Sequence, residues 1–340
     1  MFDKRKSKGL TAPATANPPH CLVRLVLQAL WNEVGLLLSV DHVNVASMYE
    51  FFVDAKEGVL YLVLELLKGG ELLDAVCVNG SYSEADAKHI MRQLFSAVAY
   101  LHRKNICHRD LKLDNLLLPS EDDRTTIKLI DFGLSLRTTE EDLSTLCGTP
   151  VYVAPELAQA VLTARRRRKQ GLAPLTYTKA VDMWACGVIM YLLLSGDVPF
   201  EGEDEMAMFR AVCSDPLKFH GADWRNVSKD AKEAIKFMLT RDPSARPTAE
   251  QVLQHPYFTE HDDSTATAKL KNTASNLRAL LARKRLKKAT HAVAAISRMS
   301  TLRKASLSAR SEANSKAEAE DEHDAAVQEV LNAASAAAAT

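Results

Sequence analysis

The side chains best suited to chemistry are a group of carboxylates and one amide near the middle of the chain. They lie in the segments His108–Asn115 (HRDLKLDN) and Asp131–Gly133 (DFG), and Ala154–Glu156 (APE) follows them. Carboxylate and amide oxygens are ligands that Mg²⁺ accepts, and a further carboxylate can orient a hydroxyl group for attack. These residue types suit phosphoryl transfer, in which the protein supplies mainly positioning and neutralisation of charge.

The order and spacing of the three segments resemble the signature of protein kinases. Each segment alone is a weak signal, but the three in this order seldom arise by chance. The resemblance covers residues 21–258, ends with His255–Phe258, and is nearest in wording to the calcium/calmodulin-dependent protein kinases. It implies a two-lobed fold of the α+β class and transfer of the γ-phosphate of ATP, with Mg²⁺, to protein substrates.

The resemblance gives each residue of these segments a role. Asp110 would be the catalytic carboxylate, Lys112 the cation that reaches the transferred phosphate, and Asn115 and Asp131 the metal ligands. Lys112 and the segment Gly148–Pro150 resemble the residues at the matching positions of kinases that act on Ser or Thr, rather than of kinases that act on Tyr. The alternatives are that the acids are ordinary solvated surface residues, or that the motif survives in a kinase without catalysis.

Further positions resemble the part of a kinase that holds ATP. Glu33, in a predicted helix, matches the glutamate that pairs with the phosphate-holding lysine. Leu64 resembles the gatekeeper residue, and Glu65–Leu67 resembles the hinge that lies against adenine. Glu71 resembles an acid that contacts ribose and, in kinases preferring basic substrates, a substrate arginine.

Three residues match positions whose family role is itself structural. Asp182 resembles the acid of the central helix that anchors the catalytic loop, and Arg246 resembles the partner of Glu156. For these residues a functional and a structural interpretation coincide.

The beginning of the kinase pattern is missing. Kinases carry a Gly-rich loop and then a strand with a Val-Ala-Ile-Lys lysine, about 20 residues before the helix glutamate. The residue 20 positions before Glu33 is Pro13, and Lys4, Lys6 and Lys8 lie in a polar stretch without strand patterning. Glu33 is therefore expected to lack its ion-pair partner.

Two explanations of this gap remain open. The sequence is either an incomplete gene product without its true first exon, or a divergent kinase-like protein with little catalysis that binds calmodulin or client proteins. The intact set of Asp110, Asn115 and Asp131 favours the first explanation. In both cases the small lobe is expected to be truncated, leaving apolar edges around Val45–Val53 uncovered.

Composition narrows the class of protein. The chain has 340 residues with 43 basic and 43 acidic side chains, so its zero net charge gives no global attraction to nucleic acid or anionic membranes. Six cysteines without a CxxC pair indicate a reducing compartment. We find no signal peptide and no apolar stretch long enough for a membrane span. These features predict a cytoplasmic protein, with the nucleus as the alternative compartment.

Periodicity divides the chain into a leader, a packed body and a biased tail. The predicted parts are a polar leader 1–20, a kinase domain 21–258, a basic regulatory segment 259–305, and an acidic and then Ala-rich tail 306–340. A small mixed lobe precedes a complete helical lobe. Helices are predicted over 22–40, 83–101, 180–194, 229–239 and 248–254, and a strand hairpin over 45–53 and 59–66.

The basic segment predicts a regulatory partner. From Lys269 to Lys304 there are eleven Lys and Arg residues and no acid. A basic helix with apolar positions is typical of calmodulin targets, and Leu286, Val293 and Met299 are spaced as anchors for the two calmodulin lobes. The alternatives are a membrane-surface helix and a solvated basic linker.

Control by phosphorylation is also expected. Thr145 matches the activation-segment threonine that an upstream kinase phosphorylates in the calmodulin-dependent family, and its phosphate would pair with Arg109. Thr273 falls where such kinases carry a self-phosphorylation threonine, but Ser306, preceded by Arg303, fits a preference for basic substrates better.

The run Arg165–Lys169 (RRRRK) interrupts the usual link between Glu156 and Asp182. It is predicted to be a solvated loop insertion, with a nuclear signal or a docking patch as the alternatives.

Overall fold

The computed structural model describes residues 21–54, 59–80, 82–137, 149–173, 176–221, 223–259, 270, 273–279 and 281–282. The chain divides into two compact units, Met1–Arg278 and Ala279–Thr340. None of the described helices has both the length and the apolar character needed to cross a bilayer.

The described part of the first unit has a small lobe and a larger helical lobe. The α-helices are α1 Cys21–Ser39, α2 Leu72–Asn79, α3 Glu84–Arg103, α4 Pro155–Lys169, α5 Ala180–Ser195, α6 Glu205–Ser214, α7 Lys229–Met238, α8 Ala249–Leu253 and α9 Pro256–Thr259. The strands are β1 Met48–Asp54, β2 Val59–Leu64, β3 Gly70–Glu71, β4 Ile106–Cys107, β5 Leu116–Leu118, β6 Lys128–Leu129 and β7 Leu136–Arg137.

The small lobe consists of α1 and the antiparallel hairpin β1–β2, as the periodicity predicts. β-Branched and aromatic residues favour the pleated strands, and Phe51 lies opposite Leu62 in the register. Trp31 of α1 meets Phe51 edge-on, with ring centroids 6.0 Å apart. The helix is thereby packed on the hairpin.

Much of the apolar surface of this hairpin is uncovered. Among the described residues, β1 and β2 pair only with each other. Tyr49, Phe52 and Tyr61 are 66%, 53% and 54% exposed. This exposure agrees with the expectation of uncovered apolar edges around Val45–Val53, and no described strand covers these side chains.

Helix α5 is the centre of the large lobe. Every residue from Val181 to Ser195 is buried, as expected for a helix that is apolar on all sides. It packs against α3 and α7. Gly187 permits the close approach of α7, since a Cβ atom there would lie 2.8 Å from a methyl carbon of Leu239.

Local signals explain where the helices around α5 begin. Ser83 and Asp86 form a capping box at the start of α3, each side chain satisfying a backbone N–H of the other residue. Thr248 and Gln251 do the same for α8, and Ser228 caps α7. These polar starts and the apolar stripes behind them account for the agreement with the predicted helices.

The prediction of a loop over Arg165–Lys169 is wrong. These residues form the end of helix α4, which starts with Pro155 at its first position. Proline suits the first turn of a helix, arginine and lysine are good helix formers, and cations stabilise the carboxyl end of the helix dipole. The basic run therefore extends the helix instead of ending it.

Leu270 and residues 273–278, which follow the predicted kinase domain, also pack on the large lobe. Residues 273–279 are helical, and Leu270, Thr273 and Leu277 are buried. The Thr273 hydroxyl donates to the Leu194 carbonyl at 3.2 Å, and the Asn276 amide donates to the Ser195 carbonyl at 2.9 Å. These bonds satisfy carbonyls at the end of α5, so the packed unit extends past the predicted domain boundary.

Candidate active site

The predicted catalytic loop is held by one buried carboxylate at the start of α5. Asp182, only 1% exposed, accepts hydrogen bonds from the backbone N–H groups of His108 and Arg109, both at 2.9 Å. Its Oδ2 also lies 2.8 Å from Nε2 of His102. Burial alone would raise the pKa of Asp182, but these hydrogen bonds and the two imidazoles outweigh it and lower the pKa. Asp182 therefore fixes the loop as an anion.

Asp110 lies at the tip of this loop with both carboxylate oxygens engaged. The hydroxyl of Thr149 donates to Oδ1 at 3.0 Å, and Nζ of Lys112 contacts Oδ2. The amide of Asn115 donates to the Asp110 carbonyl at 2.9 Å. The structure thus brings three predicted site residues together, with Lys112 on the carboxylate of Asp110 and Asn115 on its backbone carbonyl.

The DFG segment is seated directly behind the loop. Phe132 is buried and lies 5.2 Å from the His108 ring, centroid to centroid. The backbone N–H of Ile130 donates to the Asn115 carbonyl at 3.0 Å, which places Asp131 next to Asn115. The two predicted metal ligands are therefore neighbours, and Asp131 itself is exposed.

His108 is the buried support between these segments. Its Nε2 lies 3.3 Å from the Ile130 carbonyl, and its Nδ1 lies 3.4 Å from the backbone N–H of Asp110. Burial lowers the pKa of His108, although the nearby carboxylates oppose this. A neutral imidazole with its proton on Nε2 satisfies both neighbours.

Strained backbone occurs at two site residues. Arg109 has φ +68° and Asp131 has φ +66°, in the left-handed region that most residues avoid. Such conformations persist where the surroundings enforce them, and they concentrate at active sites. Here Asp182 holds the N–H of Arg109, and the Asp131 carboxylate accepts the N–H of Gly133 at 3.1 Å.

Arg109 points to the segment that follows DFG. Its guanidinium donates to the carbonyl of Leu134 and, at 3.2 Å, to the hydroxyl of Tyr177. Its expected partner, Thr145, lies outside the described residues, as do Leu286, Val293 and Met299.

Glu33 lies close to the DFG segment. A Cβ atom placed on Gly133 would lie 3.2 Å from the Asp131 carboxylate and 3.7 Å from that of Glu33. No Lys or Arg of the described chain forms an ion pair with Glu33. Burial, and then the charge of Asp131, raises the pKa of Glu33. Glu33 and Asp131 therefore place two carboxylates close to Gly133.

The predicted hinge has a structural role that sequence reasoning missed. The Glu65 carboxylate accepts the N–H of Ser47 at 3.1 Å and Nζ of Lys128 at 2.9 Å, joining the hairpin to β6. Leu64, at the end of β2, is 46% exposed, and Leu67 is half-buried. A glutamate flanked by leucines gives no signal of this clamp, because Lys128 is distant in sequence.

Glu71 lies where the hinge enters the large lobe. Its backbone pairs with Leu117 of β5, and helix α2 starts directly after it. Its side chain does not cap that helix. Glu71 is separated along the chain from the loop residues, so the sequence alone could not place it relative to Asp110.

A cleft beside Asp110 is lined by Thr149, Tyr152, Val153 and Leu157. Helix α4 begins at the edge of this cleft, and a buried arginine anchors its first turn. Arg246, 5% exposed, forms two hydrogen bonds to the Glu156 carboxylate, at 2.7 and 2.8 Å. This is the pair that the sequence indicated.

The donor set fits Mg²⁺ together with a nucleotide phosphate. Asp131 supplies an exposed carboxylate and Asn115 an amide oxygen, and Mg²⁺ is commonly held by one or two such protein ligands with the remaining positions taken by phosphate and water. When bound, Mg-ATP supplies the phosphoryl group. The protein side chains that would hold it in place are Asn115, Asp131 and Lys112.

Known proteins resemble this chain over most of its length. The protein kinase domain family matches residues 21–258. Calcium/calmodulin-dependent protein kinase type 1 of Caenorhabditis briggsae is 37% identical over 276 residues, covering 81% of this chain and 73% of that protein. Calcium/calmodulin-dependent protein kinase type I of Schizosaccharomyces pombe is 40% identical over 269 residues, covering 78% and 74%. A probable myosin light chain kinase of Dictyostelium discoideum is 40% identical over 237 residues, covering 69% and 72%.

The family match covers more than half of the chain, and it begins and ends with the α1-to-α9 body described above. The expected α+β kinase fold is confirmed. The chain belongs to the protein kinase family, as a protein serine/threonine kinase similar to the calcium/calmodulin-dependent protein kinases.

Proposed function

We propose that this chain transfers the γ-phosphate of ATP to Ser or Thr of protein substrates, using Asp110 to orient the acceptor hydroxyl. The observation that carries the proposal is the arrangement around Asp110. One oxygen is held by Thr149 and the other by Lys112, while Asp182 fixes the loop from behind. The contact of Lys112 with this carboxylate supports a role for Lys112 as the cation that reaches the transferred phosphate.

Nucleotide affinity is expected to be low. The sequence lacks a Gly-rich loop and a lysine to pair with Glu33, so protein groups would contact the phosphates of ATP on one side only. We expect a dissociation constant for MgATP weaker than about 100 μM, or about −5.5 kcal/mol. Calorimetry measures the affinity, and transfer of labelled phosphate to a basic Ser/Thr peptide is then assayed at millimolar MgATP. A dissociation constant in the low micromolar range would contradict the expectation that phosphate-binding groups are missing.

The alternative is a kinase-like interaction protein without catalysis. The specific observation in its favour is the pair of facing carboxylates, Glu33 and Asp131, which repel each other where an active kinase has an ion pair. A complete lack of transfer at millimolar MgATP, in a protein whose thermal unfolding is cooperative, would select this alternative.

Regulation by calmodulin is the second part of the proposal. Two of the relatives carry calmodulin dependence in their names, and residues 269–304 contain eleven basic residues and no acid. Calmodulin is acidic and its Met-rich grooves accept varied apolar anchors, here Leu286, Val293 and Met299.

Calorimetry of a 272–304 peptide tests this part. We expect Ca²⁺-dependent binding of calmodulin tighter than about 10 μM, or about −7 kcal/mol. The matched control is the same peptide with Leu286, Val293 and Met299 replaced by Ser, which keeps the charge and should bind at least about tenfold more weakly. Equal binding of both peptides, or weaker binding than 10 μM, would reduce the segment to a basic linker.

Activation by an upstream kinase at Thr145 completes the proposal. Arg109 donates to the carbonyl of Leu134, eleven positions before Thr145 in the sequence, and a phosphate adds about −1.5 to −2 charges that a guanidinium can bind. A cytoplasmic location is also proposed, and the free thiols of Cys107, Cys186 and Cys213 support a reducing compartment.

A further inference from the structure

The end of helix α4 carries five basic residues, and only Arg167 has a clear structural role. Arg167 donates from its guanidinium to the carbonyl of Ala173, at 3.0 and 2.6 Å, and so closes the turn that ends the helix. Arg165, Arg166, Arg168 and Lys169 are exposed, and no carboxylate of the described chain forms an ion pair with them. We refer to these four residues as the α4 basic end.

The four side chains form one surface. At about 100° per residue, Arg168, Arg165, Lys169 and Arg166 follow one another around roughly 160° of the helix, while Arg167 points to the opposite side. Residues three or four apart on a helix are neighbours, so the set contains three adjacent like-charged pairs. One cation would suffice for the helix dipole, and the others repel one another unless an anion lies between them.

The α4 basic end is also held at a fixed distance from the active site. Helix α4 starts beside the cleft at Thr149 and Tyr152, where the Glu156–Arg246 pair anchors it. Arg165 lies ten residues after Pro155, the first residue of α4, which is about 15 Å at 1.5 Å per residue. An extended peptide covers that distance in about five residues.

We infer that the α4 basic end is a docking surface for an acidic segment of the protein substrate, located about five or more residues from the phosphorylated Ser or Thr. This inference rests on the proposed function. A short run of Asp and Glu matches one turn of helix in size and charge. Nucleic acid would require Lys and Arg over a longer face, and the net charge of the chain is zero.

A binding experiment tests the surface without requiring catalysis. The probe is a fluorescein-labelled peptide of ten alternating Asp and Glu residues, titrated with the full chain at low salt and followed by anisotropy. The test variant replaces Arg165, Arg166, Arg168 and Lys169 by Gln and retains Arg167, so that the turn to Ala173 is preserved. The matched control replaces Arg283, Lys284, Arg285 and Lys287 by Gln, removing the same charge from the basic tail.

We expect the α4 variant to bind the probe at least about tenfold more weakly, with unchanged thermal unfolding, and the tail variant to lose less than about threefold. Equal losses in both variants, or a loss below threefold in the α4 variant, would overturn the inference. Tighter, α4-dependent binding of a labelled single-stranded oligonucleotide would overturn it in favour of nucleic acid.

Peptide kinetics then connect the surface to the substrate. A Ser/Thr substrate with an acidic extension should have a KM at least about fivefold lower than the same peptide with a Gln extension, and the α4 variant should abolish the difference with kcat unchanged. No difference in KM for the wild-type chain would refute substrate docking. Probe binding without any phosphoryl transfer would retain the surface and reject the proposed function.

Discussion

Replacing Asp131 with asparagine is expected to abolish phosphoryl transfer while leaving the fold in place. The substitution removes the one carboxylate of the predicted metal pair, and loss of such electrostatic stabilisation costs about 10³-fold or more in rate. Asparagine tolerates the left-handed backbone at φ +66°, and its amide oxygen can still accept the N–H of Gly133. The measurement is transfer of labelled phosphate at millimolar MgATP.

Two further variants serve as a comparison and a control for Asp131→Asn. Asp131→Ala should be equally inactive but slightly less stable, because alanine disfavours the positive φ and cannot bond to Gly133. Asp122→Asn changes an exposed carboxylate in the loop before β6 and should keep full activity. An Asp131→Asn protein as active as the wild type would exclude Asp131 from the reaction.

Removal of the Asp182 side chain is expected to cause the largest loss of stability. Asp182→Ala leaves the N–H groups of His108 and Arg109 without their acceptor in a buried environment and leaves His102 without its partner. Breaking a buried, hydrogen-bonded charge network costs about 3–5 kcal/mol, which is a large part of the 5–15 kcal/mol that holds a typical domain together. Urea denaturation measures the change in the free energy of unfolding.

The asparagine variant separates charge from shape. Asp182→Asn retains one oxygen but turns an amide NH₂ towards the second backbone donor, so an intermediate loss of stability and misplacement of Asp110 are expected. Asp230→Asn, at an exposed position in the first turn of α7, should cost only a few tenths of a kcal/mol. A loss below about 1 kcal/mol for Asp182→Ala would contradict the anchoring role.

The sequence predicts those features that depend on neighbouring residues. Alternation of apolar residues predicts the hairpin, and the polar residue at Ser83 predicts the start of α3. The basic run was misassigned because charge density suggests solvent, whereas helix propensity and the dipole favour continuation of α4. The composition of the run alone does not show whether solvation of the charges or continuation of the helix prevails. Continuation prevails here because Pro155 and Glu156 have already started helix α4.

Contacts between distant residues could not be predicted in the same way. The bonds of Glu65 to Ser47 and Lys128, and of Thr149 to Asp110, join residues 18 to 63 positions apart. They depend on how the loops are placed by the core. The family resemblance supplied the pairing of Arg246 with Glu156, but it contained no information on how Glu33 would be accommodated without its lysine.

Helix α5 is fixed at both of its ends, and this has a mechanical consequence. Asp182 in its first turn holds the catalytic loop, while Thr273 and Asn276 bind the carbonyls of Leu194 and Ser195 in its last turn. The two ends lie about 20 Å apart, at 1.5 Å per residue. The described residues 273–278 therefore restrain the carboxyl end of the helix on which the catalytic loop is mounted, and a protein shortened to residue 258 would lose both of these hydrogen bonds.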